Sequence, residues 1–298
     1  MDINNVYVRD AILYNTIQQY FNCNDKKTSQ FIAQLDHFKY RSGLIHNIPY
    51  LSLQLHVSEK DFYHTYLRVK ESFKTLPEDG ILVKKGDEIY SKLLAAIPTA
   101  PPYLFLKGNV YLLNEKSVSV VGSRNASKEA MKKTETLVKA LVKRNIVVNA
   151  GLAKGIDTIH QTALKNNGRT IAVIGTPINQ YYPKENKNLQ LTIEKHGLVV
   201  SQFPPCNKVY KWNFSTRNAT MSGISIATII MEAGEKSGAL RQADHCIKQG
   251  RDILIPYSLL HSSLLWPKKY IQKGAYTFRN IKEVLELLNK NDILYKKV

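Results

Sequence analysis

The chain has 298 residues, 44% of them hydrophobic and 22% charged, a balance typical of a soluble globular protein with one large or two ordinary domains. No apolar run approaches the ~20 residues that cross a bilayer, and the N-terminus lacks a signal sequence, so we expect a cytoplasmic protein without membrane partners. The three cysteines form no C-x-x-C pair, which argues against a zinc ribbon or a disulfide framework.

The net charge is +18 and is unevenly distributed. Residues 1–105 hold 12 basic and 11 acidic side chains, whereas residues 106–298 hold 30 and 13, so the two parts carry net charges of +1 and +17. Such asymmetry indicates a polyanionic partner, either a nucleic acid or a membrane surface. Taken alone, the charge is explained equally well by solvated lysines on a basic protein.

Residues 1–75 are predicted to form a small helical module. Apolar residues at helical spacing predict a first helix over 6–21, Thr28 or Ser29 is the predicted cap of a second, and Ser58 opens another in a capping-box-like pattern. The predicted inward-facing residues of the second helix are Phe31, Ile32, Leu35 and Phe38. Small helical modules often bind duplex DNA or partner proteins, but packing is the better explanation of this pattern, and none of these residues indicates a catalytic site.

Residues 76–116 contain several prolines and glycines and are predicted to be a connecting segment that packs on the next domain. From residue 117 to residue 298, short β-branched runs alternate with helical stretches. The predicted strands are 118–121, 146–148, 170–174, 198–200, 226–231 and 253–255. This alternation predicts an α/β fold, an extended Rossmann-like, doubly wound and mostly parallel sheet covered on both faces.

The turns that follow the first two predicted strands carry glycines and one cation each. The first contains Gly122, Ser123 and Arg124, and the second contains Lys154. Ligands of open parallel sheets bind at the carboxyl ends of strands, where helix N-termini expose N–H groups, so these turns suit phosphate oxygens. Neither G-x-G-x-x-G nor a P-loop is present, and the glycines could serve only to make tight turns.

Later strand ends add further cations and an aromatic ring, and we expect all of these turns to converge on one edge of the sheet. The additional candidate residues are Lys184, Lys187, Lys211, Phe214, Arg217, Asn218, Ser237 and Gly238. Lysine and arginine bind phosphates, and exposed rings stack on bases, which is the combination that single-stranded nucleic acid needs.

Several of these residues have structural interpretations as well. Arg124 could pair with Asp157, and Phe214 is as compatible with the core as with a binding surface. Glu232 at a strand end could be a general base, but no partner is evident, and His160 is read as structural.

Seven motifs between about residues 80 and 280 together resemble the bacterial DNA-processing protein A family, also called DprA or Smf. In order, they are PPYLFLKGN, VVGSR, GLAKGID, TIAVIGT, YYPKEN, FSTRN and EAGEKSGAL. The resemblance implies a Rossmann-like domain that binds single-stranded DNA. It also implies protection of incoming DNA, loading of RecA recombinase during natural transformation, homodimerisation through this domain, no nucleotide cofactor and no catalytic activity.

The family's DNA contacts map by motif onto this sequence. They fall on Arg124, Lys184, Lys211, Phe214, Arg217 and Asn218. Ala219 replaces the last arginine of the family's usual F-x-x-R-N-R pattern. The alternative hypothesis is a nucleotide-binding or nucleoside monophosphate-processing Rossmann-like protein with Glu232 as acid/base, although its P-G-G-x-G-T signature is missing.

Overall fold

A computed structural model describes residues 5–35 and 44–290, and its first part is a set of helices, as predicted. The helices are α1 (Val6–Gln19), α2 (Asp25–Gln34), α3 (Leu44–Leu55) and α4 (Glu59–Phe73). Ser58 caps α4, because its hydroxyl accepts the Asp61 N–H at 3.0 Å, which confirms the predicted cap.

The cap predicted for the second helix is wrong. Asn24 caps α2 instead of Thr28 or Ser29, with its side-chain oxygen accepting the Lys27 N–H at 3.0 Å. The helix therefore begins earlier and places Asp25 in its first turn. Phe38, expected to face inward on this helix, lies outside the described residues.

Within residues 5–35 and 44–290, nine strands form one sheet, in the order β1-β2-β6-β5-β4-β3-β7-β8-β9. They are β1 (Ile81–Lys84), β2 (Tyr103–Gly108), β3 (Ser117–Gly122), β4 (Val147–Ala150), β5 (Thr170–Ile174), β6 (Leu198–Ser201), β7 (Ala227–Glu232), β8 (Asp252–Pro256) and β9 (Tyr276–Phe278). The pairs β1–β2 and β2–β6 are antiparallel, and all other pairs are parallel. The predicted mostly parallel α/β sheet is confirmed.

The segment 76–116 is more than the predicted connection, because it supplies two strands of the sheet. Strand β2 pairs with β6 from Phe105 opposite Ser201 to Gly108 opposite Leu198. It thereby gives hydrogen-bond partners to the edge of β6, and β1 pairs with the far side of β2. The apolar run that forms β2 follows Pro102 and ends at Gly108, and it is buried from Tyr103 to Leu106.

Helices cover both faces of the sheet. They are α5 (Lys92–Ala95), α6 (Lys128–Lys143), α7 (His160–Lys165), α8 (Lys187–His196), α9 (Lys211–Gly223), α10 (Gly238–Lys248), α11 (Trp266–Gln272) and α12 (Ile281–Lys290). Helices α5, α9, α10 and α11 share one apolar core with the strands, whereas α6, α7 and α12 share a second core on the other face. Ser127 caps α6, and its hydroxyl oxygen accepts the Ala130 N–H at 3.1 Å.

The N-terminal helices join the sheet through aromatic contacts. Tyr14 of α1 lies 5.4 Å from Tyr103 of β2, and Phe73 of α4 lies 5.9 Å from Phe105 of the same strand, measured between ring centroids. A separate small core that includes Ile17 holds these helices together. Among the described residues, no helix is both long and apolar enough to cross a bilayer.

Candidate nucleic-acid interface

The strand order changes direction between β3 and β7, and a cleft of about 740 Å³ opens at the carboxyl ends of these two strands. The chain leaves β3 toward α6 on one face and leaves β7 toward α10 on the other, so the two connections diverge and leave a crevice. Nine of the twelve residues predicted from sequence line it. They are Gly122, Ser123, Arg124, Lys211, Phe214, Arg217, Asn218, Ser237 and Gly238.

Close backbone packing shapes the first loop of the cleft. A Cβ on Gly122 would lie 2.7 Å from both the Glu232 carbonyl oxygen and the Ile156 side chain. Gly155 has φ +75°, and a Cβ there would overlap the Ser123 carbonyl oxygen. Glycine is therefore required at both positions. The loop that results leaves Arg124 exposed at the rim, without an ion-pair partner among the described residues.

Helix α9 presents three of the lining residues from one face. Lys211, Phe214 and Asn218 are spaced by three and four positions, so they follow one another along the helix surface. The half-buried Phe214 ring rests on Gly175, where a Cβ would lie 2.6 Å from the ring. Its centroid is 5.1 Å from that of Tyr182, which is 50% exposed. The rings of Phe214 and Tyr182 thus share one rim of the cleft with the exposed Lys211.

Arg217 occupies a different position from the one that a phosphate contact suggests. Its side chain is only 5% exposed, and Nη1 donates to the carbonyl oxygen of Val173 at the end of β5. The guanidinium also fills the space beside Gly151, where a Cβ would overlap it. The geometry thus gives Arg217 the role of anchoring α9 to the strand ends below the cleft, and direct DNA contact by Arg217 stays a prediction.

The loop after β7 forms the opposite wall. Ser237 caps α10, accepting the Ala239 N–H at 3.3 Å, and Gly238 faces open space. Two exposed cations of this wall, Lys236 and Arg241, line the cleft but were not among the sequence candidates. The available signal was their position beside the Ser237 cap, since a helix N-terminus at a strand end is where anions bind.

Three predicted lysines lie outside the cleft. Lys154 forms an exposed ion pair with Glu185, with 3.0 Å between Nζ and Oε1. The Lys187 ammonium lies 5.1 Å from the centre of the Tyr181 ring, and Lys184 is exposed. The structure therefore does not bring these lysines together with Arg124 and Lys211, although Tyr182 of the same loop does reach the cleft. Whether they contact DNA stays a prediction.

Glu232 is engaged elsewhere. Its carboxylate accepts the Ser127 N–H at 3.0 Å and the Ser127 hydroxyl at 2.7 Å, so it stabilises the N-terminus of α6. It does not line this cleft, and the nucleotide-processing hypothesis with Glu232 as acid/base stays a prediction.

His160 has the structural role that was expected. It is fully buried, its Nδ1 lies 2.6 Å from the Thr170 hydroxyl, and burial lowers its pKa to about 3. The side chain of Asp157, the alternative partner of Arg124, lies outside the described residues. Within the described part of the chain, no group of three His, Cys, Asp or Glu side chains could hold a metal ion.

Fold and cleft together define a Rossmann-like α/β protein with a positively charged, ring-lined site at its strand ends. Comparison with known proteins assigns the family: residues 81–289 match the family model described as DNA recombination-mediator protein A, and the chain belongs to this family. The family membership predicted from the seven motifs is confirmed.

Relatives with similar sequence carry the same family name. The DNA processing protein DprA of Streptococcus pneumoniae is 38% identical over 229 residues, which are 76% of this chain and 79% of the relative. The DNA processing protein DprA of Bacillus subtilis is 33% identical over 240 residues, covering 79% of this chain and 80% of the relative.

Two solved structures of DNA processing protein A resemble this fold. That of Streptococcus pneumoniae superposes with a TM-score of 0.72 at 29% identity, covering 94% of this chain and 96% of the other. That of Helicobacter pylori, described in terms of its single-stranded DNA binding mode, gives a TM-score of 0.63 at 25% identity, covering 71% of this chain and 96% of the other.

Proposed function

We propose that this protein binds single-stranded DNA in the cleft between the ends of β3 and β7. The observation that carries the proposal is the convergence on one cleft of exposed cations and two adjacent rings. Arg124, Lys211 and Arg241 are placed to neutralise phosphates, while Phe214 and Tyr182 offer ring faces to unpaired bases. Duplex DNA hides its base faces within the stack, so this combination favours a single strand.

The family context supports a role in handling incoming DNA during natural transformation. In this proposal the protein acts without catalysis in the cytoplasm, protects the strand from nucleases, helps to load RecA recombinase onto it, and works as a homodimer through the Rossmann-like domain. Membership of a family described as recombination mediators supports these finer points. A RecA strand-exchange assay on protein-coated DNA tests loading, and light scattering after size-exclusion chromatography tests the dimer.

Binding of labelled oligonucleotides, measured by fluorescence anisotropy, tests the central proposal. The wild-type protein is expected to bind a single strand more tightly than the duplex of the same sequence at physiological salt. Lys211→Ala should weaken binding about tenfold and reduce the log–log salt slope by about 0.7, because one phosphate loses its counter-charge. Phe214→Ala should weaken binding without changing the slope, since stacking does not release counter-ions.

Lys60→Ala is the matched control, because Lys60 is an exposed lysine of the N-terminal module, on α4. It should leave the affinity within about twofold of wild type, as expected for one distant surface charge screened by salt. Equal affinity of the wild type for single strand and duplex would contradict the proposal. Release of free base from nucleoside monophosphates would instead support the alternative hypothesis of a nucleoside monophosphate-processing enzyme.

A further inference from the structure

Beside the cleft, at the start of α9, two exposed aromatic rings stack on each other. The centroids of Tyr210 and Trp212 are 5.7 Å apart, and their planes differ by only 10°. Tyr210 is 46% exposed and Trp212 is 42% exposed. We propose that this Tyr210–Trp212 pair is a second base-stacking platform, which extends the path of a bound single strand out of the cleft. The inference rests on the proposed function.

The position of the pair on the helix makes the path continuous. Successive residues of an α-helix point about 100° apart, so Lys211 lies between the Phe214 side of α9 and the Trp212 side. Lys211 and Phe214 line the cleft, whereas Trp212 lines a neighbouring groove. A strand that leaves Phe214 and crosses the N-terminal end of α9 therefore passes Lys211 and reaches the stacked rings.

The charges beside the rings suit phosphate groups. Lys208 and Lys211 flank the pair in sequence, both are exposed, and neither has an ion-pair partner in the described part of the chain. The first turn of α9 contains no acidic residue. An apolar ring surface bordered by free cations is the arrangement that binds single strands with little sequence preference.

The groove that continues from Trp212 runs between the N-terminal helices and the α/β domain. Its volume is about 630 Å³, and Trp212 forms part of its wall together with Asn22 and Lys26 from the N-terminal module. The amide of Asn22 can bond base edges, and Lys26 is exposed. The platform thereby gives the N-terminal module a role at the far end of the bound strand. Asp25 also lines this groove, and its acidic side chain does not attract phosphates. Binding there is therefore expected to depend mainly on stacking against the rings.

Oligothymidylates of stepwise increasing length separate the platform from the cleft. For the wild type, affinity should rise in two stages, first as the cleft fills and then as the strand reaches the rings. The double variant Tyr210→Ala/Trp212→Ala should lose the second stage and bind long oligonucleotides about tenfold or more weakly, while short ones keep their affinity. Phe214→Ala should weaken short and long oligonucleotides alike.

The fluorescence of Trp212 gives a direct readout. The chain has two tryptophans, and Trp266 is 2% exposed with its indole N–H donating to the Ala233 carbonyl at 2.8 Å. Long oligonucleotides should quench the tryptophan emission and shield it from acrylamide, and short ones should do neither. Trp212→Phe should retain the affinity, because a ring remains, and lose the quenching.

A matched control and a folding check complete the test. Tyr111→Ala removes a tyrosine that is 78% exposed and lines neither the cleft nor the groove beside Trp212. It should leave the affinity unchanged for oligonucleotides of every length. The melting temperature of each variant, and that of Trp212→Phe in particular, shows whether the fold is intact. If the double variant folds and binds every length as the wild type does, the platform is ruled out while the cleft proposal stands. If the wild type shows no preference for single strands, the cleft proposal itself fails.

Discussion

The first 105 residues and the rest of the chain differ most in their net charge. In residues 1–105, basic and acidic side chains nearly cancel, and pairs such as Lys84 with Asp10 and Lys74 with Glu71 use their charges locally. The remaining chain has an excess of 17 positive charges, and several of its exposed cations line the cleft. Four of these cations, Arg124, Lys211, Lys236 and Arg241, lie where strand ends and helix N-termini already favour anions.

The two parts also bury ionisable groups of opposite kind. In the N-terminal module, Asp25 accepts hydrogen bonds from Tyr14 at 2.9 Å and Gln18 at 2.6 Å, and burial raises its pKa to about 6. In the α/β part, burial lowers the pKa of His160 to about 3. Burial disfavours the charged form of each group, so acid should stabilise one region and destabilise the other.

The largest effect is expected from Gly155→Ala, which disrupts the first loop of the cleft in the α/β part. A side chain at φ +75° is strained, and its Cβ would collide with the Ser123 carbonyl oxygen, so the first loop of the cleft must shift. The free energy of unfolding should fall by about 2 kcal/mol or more, and single-stranded DNA binding should be lost. Urea unfolding and anisotropy measure the two losses.

Gly234→Ala is its matched control. Gly234 also lines the cleft, but no atom lies within 4 Å of a Cβ added there. Its stability should stay within about 0.5 kcal/mol of wild type. Equal damage from both substitutions would show that the backbone of the first loop has no special role.

Lys236 and Arg241, which were not predicted from sequence, test whether DNA binding depends on cations in the cleft or on net charge. The double variant Lys236→Ala/Arg241→Ala should weaken single-stranded DNA binding about tenfold at low salt and lower the salt slope by about 1.4, as expected for two lost phosphate contacts. The double variant Lys60→Ala/Lys70→Ala, on α4, provides the comparison. If both pairs have the same effect, binding follows net charge and the cleft is not the site.

Acid should destabilise the α/β part through His160. Its pKa lies near 6.5 in the unfolded chain and near 3 when folded, so the unfolded chain takes up a proton between these values. The stability that neutral His160 permits is present above pH 6.5 and falls by up to about 1.4 kcal/mol per pH unit below it. Hydrogen exchange of the β4 and β5 amides between pH 7 and 5, corrected for intrinsic rates, measures the loss.

His160→Gln supplies the control for that titration. It loses the pH-dependent part of the protection in β4 and β5, even if its stability at pH 7 is lower because the contact with Thr170 is weakened. An unchanged pH profile in this variant would assign the acid sensitivity to another group.

The N-terminal module should show the opposite trend, with a smaller amplitude. Charged Asp25 opposes folding above pH 6, and this cost disappears as pH falls toward 4, so protection of α1 and α2 should rise on acidification. Asp25→Asn keeps an acceptor for Tyr14 and Gln18 but carries no charge. At pH 7 it should stabilise the module by about 1 kcal/mol and flatten its pH profile. Loss of stability in this variant would contradict the assignment.

The smallest effect is expected from Glu185→Gln. Glu185 forms an exposed ion pair with Lys154, and removing its charge frees that lysine without disturbing the fold. If Lys154 approaches a bound strand, affinity for single-stranded DNA should rise about twofold, and the salt slope should steepen slightly. Lys154→Ala should then lower the affinity by a similar factor. No change in either variant would place Lys154 off the DNA path.

Strand–helix alternation predicted the parallel core well, because the central strands are short, mostly apolar runs rich in β-branched residues. The predicted strand 170–174 matches β5 residue for residue, and 118–121 lies within β3. Strand β9 and helix α11 escaped prediction, as did the sheet role of 76–116. Edge strands such as β9, Tyr276–Phe278, are short and half-exposed, so their residues carry no periodic signal of their own.

Sequence by itself determined the family, the α/β class and most of the loops that meet at the strand ends, because glycine turns, β-branched runs and cap residues act locally. Only the tertiary structure decided which side chains share the cleft. It turned Arg217 inward to the Val173 carbonyl, paired Lys154 with Glu185, and brought Lys236 and Arg241 to the opposite wall. The physical reason is that the direction of a side chain depends on the elements packed against it, and these come from distant parts of the chain.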